Sequence, residues 1–481
     1  MFKIEMSLEL TISNYFKALR RIYNFQRHLS IAKKMPSAYQ EAIRRLENLQ
    51  TNYQVLQSQI KSGGWTQQSK YAQSEKTLND LDQGELVEKL QKIPLFHVAG
   101  TKGKGTTSAM IDSLLREKGF RTGLFTSPHL CKVNERIRID GKPISDEDFA
   151  FSFHHIYEQL KPEQRPAYFS FLTLVAFHAF SRLRVDVVIL EVGIGGTFCT
   201  TSLFPVGPMP RVCCVTALGY DHMSILGHTI EEISRAKAGI FRRNATLIST
   251  RQEYTEAHKT LLEEAKKIIT PLLIPSENLR ESLYGKEGPM KCNASVALTA
   301  VRTFFGKSLD EAATKEEMEG LNKTFWPGRQ QIVWHNTGER KLKVLLDGAH
   351  TLESLRPCVN WAAKMKEGNL AVLMNVTKDR KVKPLIDIVA DLEPSYLILS
   401  PNVAKTTEKS QIPDKNFPIE KQLEKINEIE STATKMGLKT LRFNSVNESL
   451  ENLPTEITTV LITGSLYLVG AFFQLRPDLP L

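Results

Sequence analysis

A lysine set among glycines can neutralise phosphate charge if the chain around it turns tightly. The sequence offers that arrangement at Ala99-Gly100-Thr101-Lys102-Gly103-Lys104-Gly105-Thr106-Thr107, after the apolar run Ile93–Val98 and before a helical pattern through Leu115. In such a strand–turn–helix unit the glycines let backbone N–H groups close on phosphate oxygens, while the helix N-terminus and an ammonium add positive potential. Lys104 is the natural ligand of β- and γ-phosphates. The spacing is not a strict P-loop: Val98 stands where its first glycine would be, and Gly105 displaces the hydroxyl that normally follows the lysine. Other reactive side chains are scattered further on. Ser127 sits in Thr-Ser-Pro, Glu191 ends an apolar run, His222 follows Asp221, and Lys237 lies in a helical run from Thr229. Alone, each has a plain structural reading: a turn serine, a strand-end carboxylate capping a glycine turn, a loop histidine, a surface lysine.

The elements that must position these residues read as strand, loop, helix, repeated. Strands are predicted at Ile93–Val98, Gly123–Thr126, Val185–Glu191 and Val212–Leu218, after a first helix over Ser37–Asn52. This alternation predicts an α/β fold with a mostly parallel sheet covered on both faces. It restarts after Arg329, with strands predicted at Lys343–Leu346, Leu370–Met374, Tyr396–Ser400 and Thr458–Ile462. Phe325-Trp326-Pro327-Gly328-Arg329 between the two series is a Pro-Gly break suited to a hinge. The expected organisation is a basic segment 1–35, a nucleotide-binding domain 36–325, a hinge 326–331 and a smaller Rossmann-like α/β domain 332–481.

Gly100 to Thr106 resembles the nucleotide loop of the Mur ligase superfamily, and specifically of the folylpolyglutamate synthases. The resemblance continues in order through Thr126-Ser127-Pro128-His129-Leu130, Asn134-Glu135-Arg136-Ile137-Arg138-Ile139, Glu191-Val192-Gly193-Ile194-Gly195-Gly196 and Asp221-His222-Met223-Ser224. Lys237-Ala238-Gly239-Ile240-Phe241, Trp326-Pro327-Gly328-Arg329, Asp347-Gly348-Ala349-His350-Thr351 and Gly464-Ser465-Leu466 follow. Each motif is weak alone; their collinearity is specific. The resemblance implies ATP-dependent addition of L-glutamate to the γ-carboxylate of a folate, through an acyl phosphate, by a monomeric ligase. It implies ATP contacts from Gly100, Gly103, Lys104, Gly105, Thr106, Asn293, Arg329 and Asp347, and Mg2+ held by Ser127, Glu191 and His222. It also implies catalytic roles for Lys104, Lys237 and His350, with Lys237 carbamylated, and a K+ ion. An imidazole is an unusual ligand for so hard a cation as Mg2+.

The match fails in places. Where the family has Asp-x-Thr-Asn after its glycine turn, this chain has Cys199 and Ser202, with Thr201 retained; Pro289 and Met290 replace a His-Gln pair, and Lys378 replaces a glycine. A nucleotide-binding relative that no longer ligates, or a ligase for another acid acceptor, therefore stay open as readings.

Composition bounds all of this. The chain has 481 residues and formal charge +10, which favours anionic ligands without the basic, aromatic-interleaved stripe of a nucleic-acid footprint. Six cysteines, none in a C-x-x-C pair, fit a reducing compartment. The longest apolar stretch, Tyr168–Phe180, is interrupted by Ser170, Thr173 and His178 and is too short for a membrane span. Between Leu10 and Lys34 there are basic residues (Lys17, Arg20, Arg21, Arg27, Lys33, Lys34) and no acidic one, as in a mitochondrial transit peptide or, alternatively, a solvated basic tail. Met35 would then be a second start, giving a cytoplasmic form beside a mitochondrial-matrix one.

Overall fold

The computed structural model describes residues 35–49, 67–283, 285, 288–376, 380–406 and 418–481. The basic segment 1–34 and Lys378 lie outside the described residues. Two sheets organise the chain. The first has eight strands: β1 (Leu95–Ala99), β2 (Thr122–Phe125), β3 (Ile137–Ile139), β4 (Lys142–Pro143), β5 (Val187–Glu191), β6 (Arg211–Val215), β7 (Thr246–Ser249) and β8 (Leu272–Leu273). Their order is β4-β3-β2-β5-β1-β6-β7-β8, parallel from β2 through β8, with β3 and β4 added antiparallel at one edge.

Central strands β1, β5 and β6 are buried along their whole length. That is why they read as continuous apolar runs rather than alternating ones. Alternation survives in three dimensions: Val187 and Ile189 join the core under helices Lys104–Glu117 and Gly288–Phe304, while Val188 and Leu190 join the one under helix Tyr168–Arg182. The latter helix is the apolar stretch noted in the sequence. No helix among the described residues is long and apolar enough to cross a membrane.

The second sheet comprises β9 (Gln331–Thr337), β10 (Arg340–Leu346), β11 (Asn369–Met374), β12 (Tyr396–Leu399), β13 (Thr440–Arg442) and β14 (Ile457–Thr463), in the order β13-β12-β11-β14-β10-β9. Five strands are parallel; β9 pairs antiparallel with β10 through a hairpin at Gly338. β9 was not expected from the sequence, and it begins at Gln331, inside the stretch read as a hinge. The predicted strands all exist, their ends matching or displaced by at most three residues. The first helix runs Met35–Asn48, where Ser37–Asn52 was expected; residues 50–52 lie outside the described residues.

Candidate active site

The site is built at the C-terminal ends of β1 and β5, where the chain crosses from one side of β1 to the other, the crevice in which open α/β sheets take ligands. Leaving β1, Gly100 turns with φ +148°, and a Cβ there would overlap the Thr216 hydroxyl. Gly103 caps helix Lys104–Glu117 in the left-handed region, and a Cβ on it would collide with the Asn293 side-chain amide. Both glycines are thus required by close neighbours as well as by φ. The N–H groups of Lys104, Gly105 and Thr106 open the helix, where no intrahelical acceptor precedes them. The backbone N–H groups of Thr101 and Lys102 are already used, both donating to the Ala217 carbonyl at 2.9 and 3.1 Å.

Glu191 comes to the same place. Its carboxylate lies 3.3 Å from the position a Cβ on Gly105 would take, and the Trp326 ring is as close to that point. Glu191 Oε2 accepts the Ser127 backbone N–H at 2.9 Å. Burial raises the Glu191 carboxyl above its ordinary range, opposed by Lys104, the Ser127 N–H and Arg329. Arg329, from the start of the second domain, therefore acts on a carboxylate of the first. Its Nη1 donates to the Gly328 carbonyl at 3.1 Å. Asp347, at the end of β10, accepts the N–H groups of Gln330 (3.1 Å) and Ala349 (2.9 Å). Burial raises its carboxyl, with Arg329 pulling the other way.

Lys237 is no surface lysine. It is 3% exposed, on helix Ile230–Ala238, and its ammonium nitrogen donates to the Gly100 carbonyl at 2.8 Å. Burial first, then the nearby Lys104, brings its pKa down to about 7.

His222 sits in a left-handed turn, its N–H donating to Asp221 Oδ1 at 3.0 Å and its Nε2 3.9 Å from the same oxygen. Lys102 bridges Asp221 at 3.2 Å. Burial raises the Asp221 carboxyl, but Lys102 and His222 outweigh it and hold it well below the usual range. The loop carrying both is tied to the phosphate loop by reciprocal bonds between the Thr101 hydroxyl and Gly219, each 3.1 Å. His350 precedes helix Leu352–Met365, its Nδ1 2.8 Å from the Gly348 carbonyl. Burial, Arg380 and Lys102 bring it down to about 3, so it is a neutral imidazole facing cations from both domains.

The structure therefore gathers Lys104, Ser127, Glu191, Trp326 and Arg329 into one group, and attaches Lys237, Lys102, Asp221 and His222 along the phosphate loop. Among the described residues His222 is placed by Asp221 rather than by Ser127 or Glu191. Lys102 and Arg380 were not singled out from sequence; Lys102 lies in the glycine-rich loop and Arg380 two residues after Lys378, and their charge was the available signal. Four of the divergent positions lie within the described residues. Ser202 Oγ donates to the Gly196 carbonyl at 2.6 Å, Cys199 Sγ lies 3.1 Å from the Thr201 hydroxyl, and Met290 packs on the core beneath helix Gly288–Phe304. Pro289 is exposed in the first turn of that helix.

Of the residues assigned to Mg2+ by resemblance, two fit a hard cation. The Glu191 carboxylate is buried, and its one hydrogen bond within the described residues leaves acceptor sites unused. Ser127 brings a hydroxyl residue directly beside it. His222 offers nitrogen, which such a cation takes reluctantly.

Family models match at two places: Mur ligase middle domain over residues 98–271 and dihydrofolate synthetase, C-terminal domain, over residues 330–475. A putative folylpolyglutamate synthase of Caenorhabditis elegans is 34% identical over 497 aligned positions, covering 94% of each chain. The mitochondrial folylpolyglutamate synthase of Bos taurus is 34% identical over 426, covering 79% of this chain and 71% of its own. The fold matches that of Mycobacterium tuberculosis folylpolyglutamate synthase complexed with ADP, with TM-score 0.72 at 21% identity over 93% of this chain and all of that one. With the phosphate loop, the Glu191–Ser127 pair and Arg329 brought to one crevice, and with relatives alike along nearly their whole length, the chain belongs to the folylpolyglutamate synthase family of Mur ligases.

Proposed function

We propose that the protein is an ATP-dependent ligase that adds L-glutamate to the γ-carboxylate of tetrahydrofolate and of its polyglutamates. The folate carboxylate attacks the γ-phosphate of ATP, forming an acyl phosphate and releasing ADP. The glutamate amine then attacks the acyl carbon, an amide forms and inorganic phosphate leaves. Phosphoryl transfer asks mainly for positioning and charge neutralisation. The observation that carries this reading is the convergence of Lys104 and Glu191 with Arg329, which reaches them from the second domain. Gly100, Gly103, Gly105 and Thr106 frame the phosphates, Asn293 and Asp347 border the nucleotide, and His350 faces the same cleft as Lys102.

Mg2+ would be held by Ser127 and Glu191, with His222 as the third ligand of this reading, and it would spread the charge of the transferring phosphate. Lys237, with an amine whose pKa is about 7, is half neutral near pH 7 and so reactive toward CO2; its carbamate would place a negative charge beside Gly100. A K+ ion belongs to the same reading without assigned residues. The enzyme acts as a monomer whose C-terminal domain closes about residues 326–331. It works in the cytoplasm and the mitochondrial matrix, with residues 1–35 as presequence and Met35 as second start; fusing residues 1–35 to a reporter tests this, and a diffuse cytosolic signal would reject the presequence.

The deciding experiment is incorporation of labelled glutamate into tetrahydrofolate and a panel of other acids. Incorporation into folates alone is the outcome expected. ATP binding without incorporation into any acceptor would mean that Cys199 and Ser202 mark a protein that binds and does not ligate.

A further inference from the structure

Away from the phosphate loop, three side chains with metal-binding atoms meet on the helical layer of the larger domain. Asp82 lies in the short 3₁₀ turn Leu81–Gly84 with φ +49°. His155 comes from helix Asp146–Gln159 and His178 from helix Tyr168–Arg182. One donor atom of each lies within 4.8 Å of the others. His155 Nε2 is 2.7 Å from Asp82 Oδ1, and the two imidazoles stack with centroids 4.3 Å apart.

The cluster is supported from behind. Gln159 donates through Nε2 to Asp82 Oδ1 at 3.0 Å and accepts the Asp82 backbone N–H at 2.9 Å, so the carboxylate is held in place by a neutral amide. His178 is 7% exposed, and its Nδ1 is buried with no hydrogen-bond partner among the described residues. A buried imidazole nitrogen left so calls for an explanation, because native structures satisfy nearly all such atoms. All three residues line a cleft of about 1070 Å³, which gives a solute a way in.

We propose that Asp82, His155 and His178 form a site for a divalent transition-metal ion, Zn2+ or its spectroscopic substitute Co2+, with solvent completing the coordination. Two imidazoles and one carboxylate suit Zn2+ and its neighbours rather than the all-oxygen preference of Mg2+. The chemistry of this cluster is therefore distinct from that of the Glu191 region. Coordination replaces the His155–Asp82 hydrogen bond and asks each imidazole to turn about its Cβ–Cγ bond out of the stack. The ion would staple three elements, the 81–84 turn and two helices, and as a ligand of the folded state it would raise stability by mass action. One of those helices, Tyr168–Arg182, also carries Phe169, which packs against Gly193 in the turn after Glu191.

The test uses the full-length chain, stripped with a chelator and titrated with Zn2+ against a chromogenic competitor, and in parallel with Co2+ by visible absorption. The expected result is one tight equivalent, a Co2+ d–d band, and a higher thermal midpoint with metal. His155→Gln, Asp82→Asn and His178→Gln each remove a direct ligand and should weaken binding by more than the roughly 10–100-fold typical of changes to groups that only orient a ligand, and abolish the band. His155 and Asp82 are partly exposed, so their variants should keep the wild-type circular dichroism even if His178→Gln does not. Metal bound by His155→Gln and Asp82→Asn with unchanged affinity and spectrum, as a cysteine site would allow, overturns the proposal. So does the absence of any tight equivalent in the wild type.

Discussion

The Lys237 ammonium nitrogen reaches across from helix Ile230–Ala238 to the carbonyl of Gly100, 2.8 Å away, and so anchors the phosphate loop from below. With a pKa of about 7, set first by burial and then by Lys104, this amine is protonated in acid and neutral in base. Two consequences have definite signs. The folded state binds this proton less readily than the unfolded chain, whose lysine titrates near 10.5. Stability of the unmodified protein should therefore rise with pH from about 7 to 10.5 and be flat in this contribution below 7. Reaction with CO2 needs the neutral amine, so activity should fall as pH drops through 7. It should also fall in CO2-depleted buffer and return with bicarbonate, an effect absent in Lys237→Arg. Indifference of the wild type to bicarbonate, with no mass gain of one CO2 on the intact chain, would end the carbamate reading.

Glu191→Gln separates charge from shape. The glutamine oxygen can still accept the Ser127 N–H, and the volume is unchanged. Because burial raises the Glu191 carboxyl, its ionised form is a cost to the empty protein that a neutral amide removes. The variant should melt slightly higher than wild type without nucleotide, yet lose about a hundredfold or more in glutamate incorporation and require more Mg2+ for half-maximal rate. For the wild type the same shift means that apo stability declines as pH rises through the folded-state pKa. An active variant with an unchanged Mg2+ requirement would remove Glu191 from the metal.

Much of this site was legible because the sequence punctuates it with glycine. Gly100 and Gly103 marked the phosphate turn, and the structure adds why: Thr216 and Asn293 stand where their side chains would be. Central strands were legible because burial on both faces leaves runs such as Val187–Leu190. β9 was not, because in Gln331–Thr337 only Val333 is buried while Ile332 and Trp334 face outward, which reverses the usual signal of an apolar strand residue. Lys237 looked like a surface lysine because of its charge, although it shares one helix face with the buried Ile230, Ile233 and Ser234, so the helical period did point it inward. Which loops pack across the domains was invisible, since Leu130 belongs to the core of the second domain and Trp326 to that of the first.

That exchange can be tested at Gly470. A Cβ there would fall on the Leu130 carbonyl oxygen, and Cys131 Sγ also donates to the Gly470 carbonyl at 3.2 Å. The segment is held rigidly from its other side, since Glu135 accepts the N–H groups of Leu130, Cys131 and Lys132. Gly470→Ala should cost about 1–3 kcal/mol of stability by overpacking. The displaced segment begins three residues after Ser127, so the apparent Mg2+ and ATP requirements should rise together. A lowered melting point with unchanged kinetics would show that the contact is structural only.

Lys104→Ala tests the phosphate loop itself. Lys104 Nζ lies 3.4 Å from the Thr101 carbonyl, a weak tie that leaves the ammonium available to a phosphate. Its removal should cost on the order of 3 kcal/mol of transition-state stabilisation, about a hundredfold in rate, with little change in melting temperature. Equal incorporation by variant and wild type would refute the role.

Arg329 can be examined through two substitutions that act on different neighbours. Arg329→Lys keeps the charge but loses the planar fork that grips phosphate oxygens, so turnover should fall roughly 10–100-fold while the protein stays folded. Arg329→Ala also removes the main opposing charge at the buried Asp347, whose carboxyl is already raised by burial. Ionised Asp347 then becomes more costly, up to about 3 kcal/mol. Its pKa rises further, so the stability deficit of Arg329→Ala relative to wild type should be largest at neutral and alkaline pH. It should shrink toward acid as Asp347 takes up its proton. Melting curves of both variants across pH decide it: a deficit independent of pH would mean that Arg329 acts on Glu191 and phosphate without stabilising Asp347.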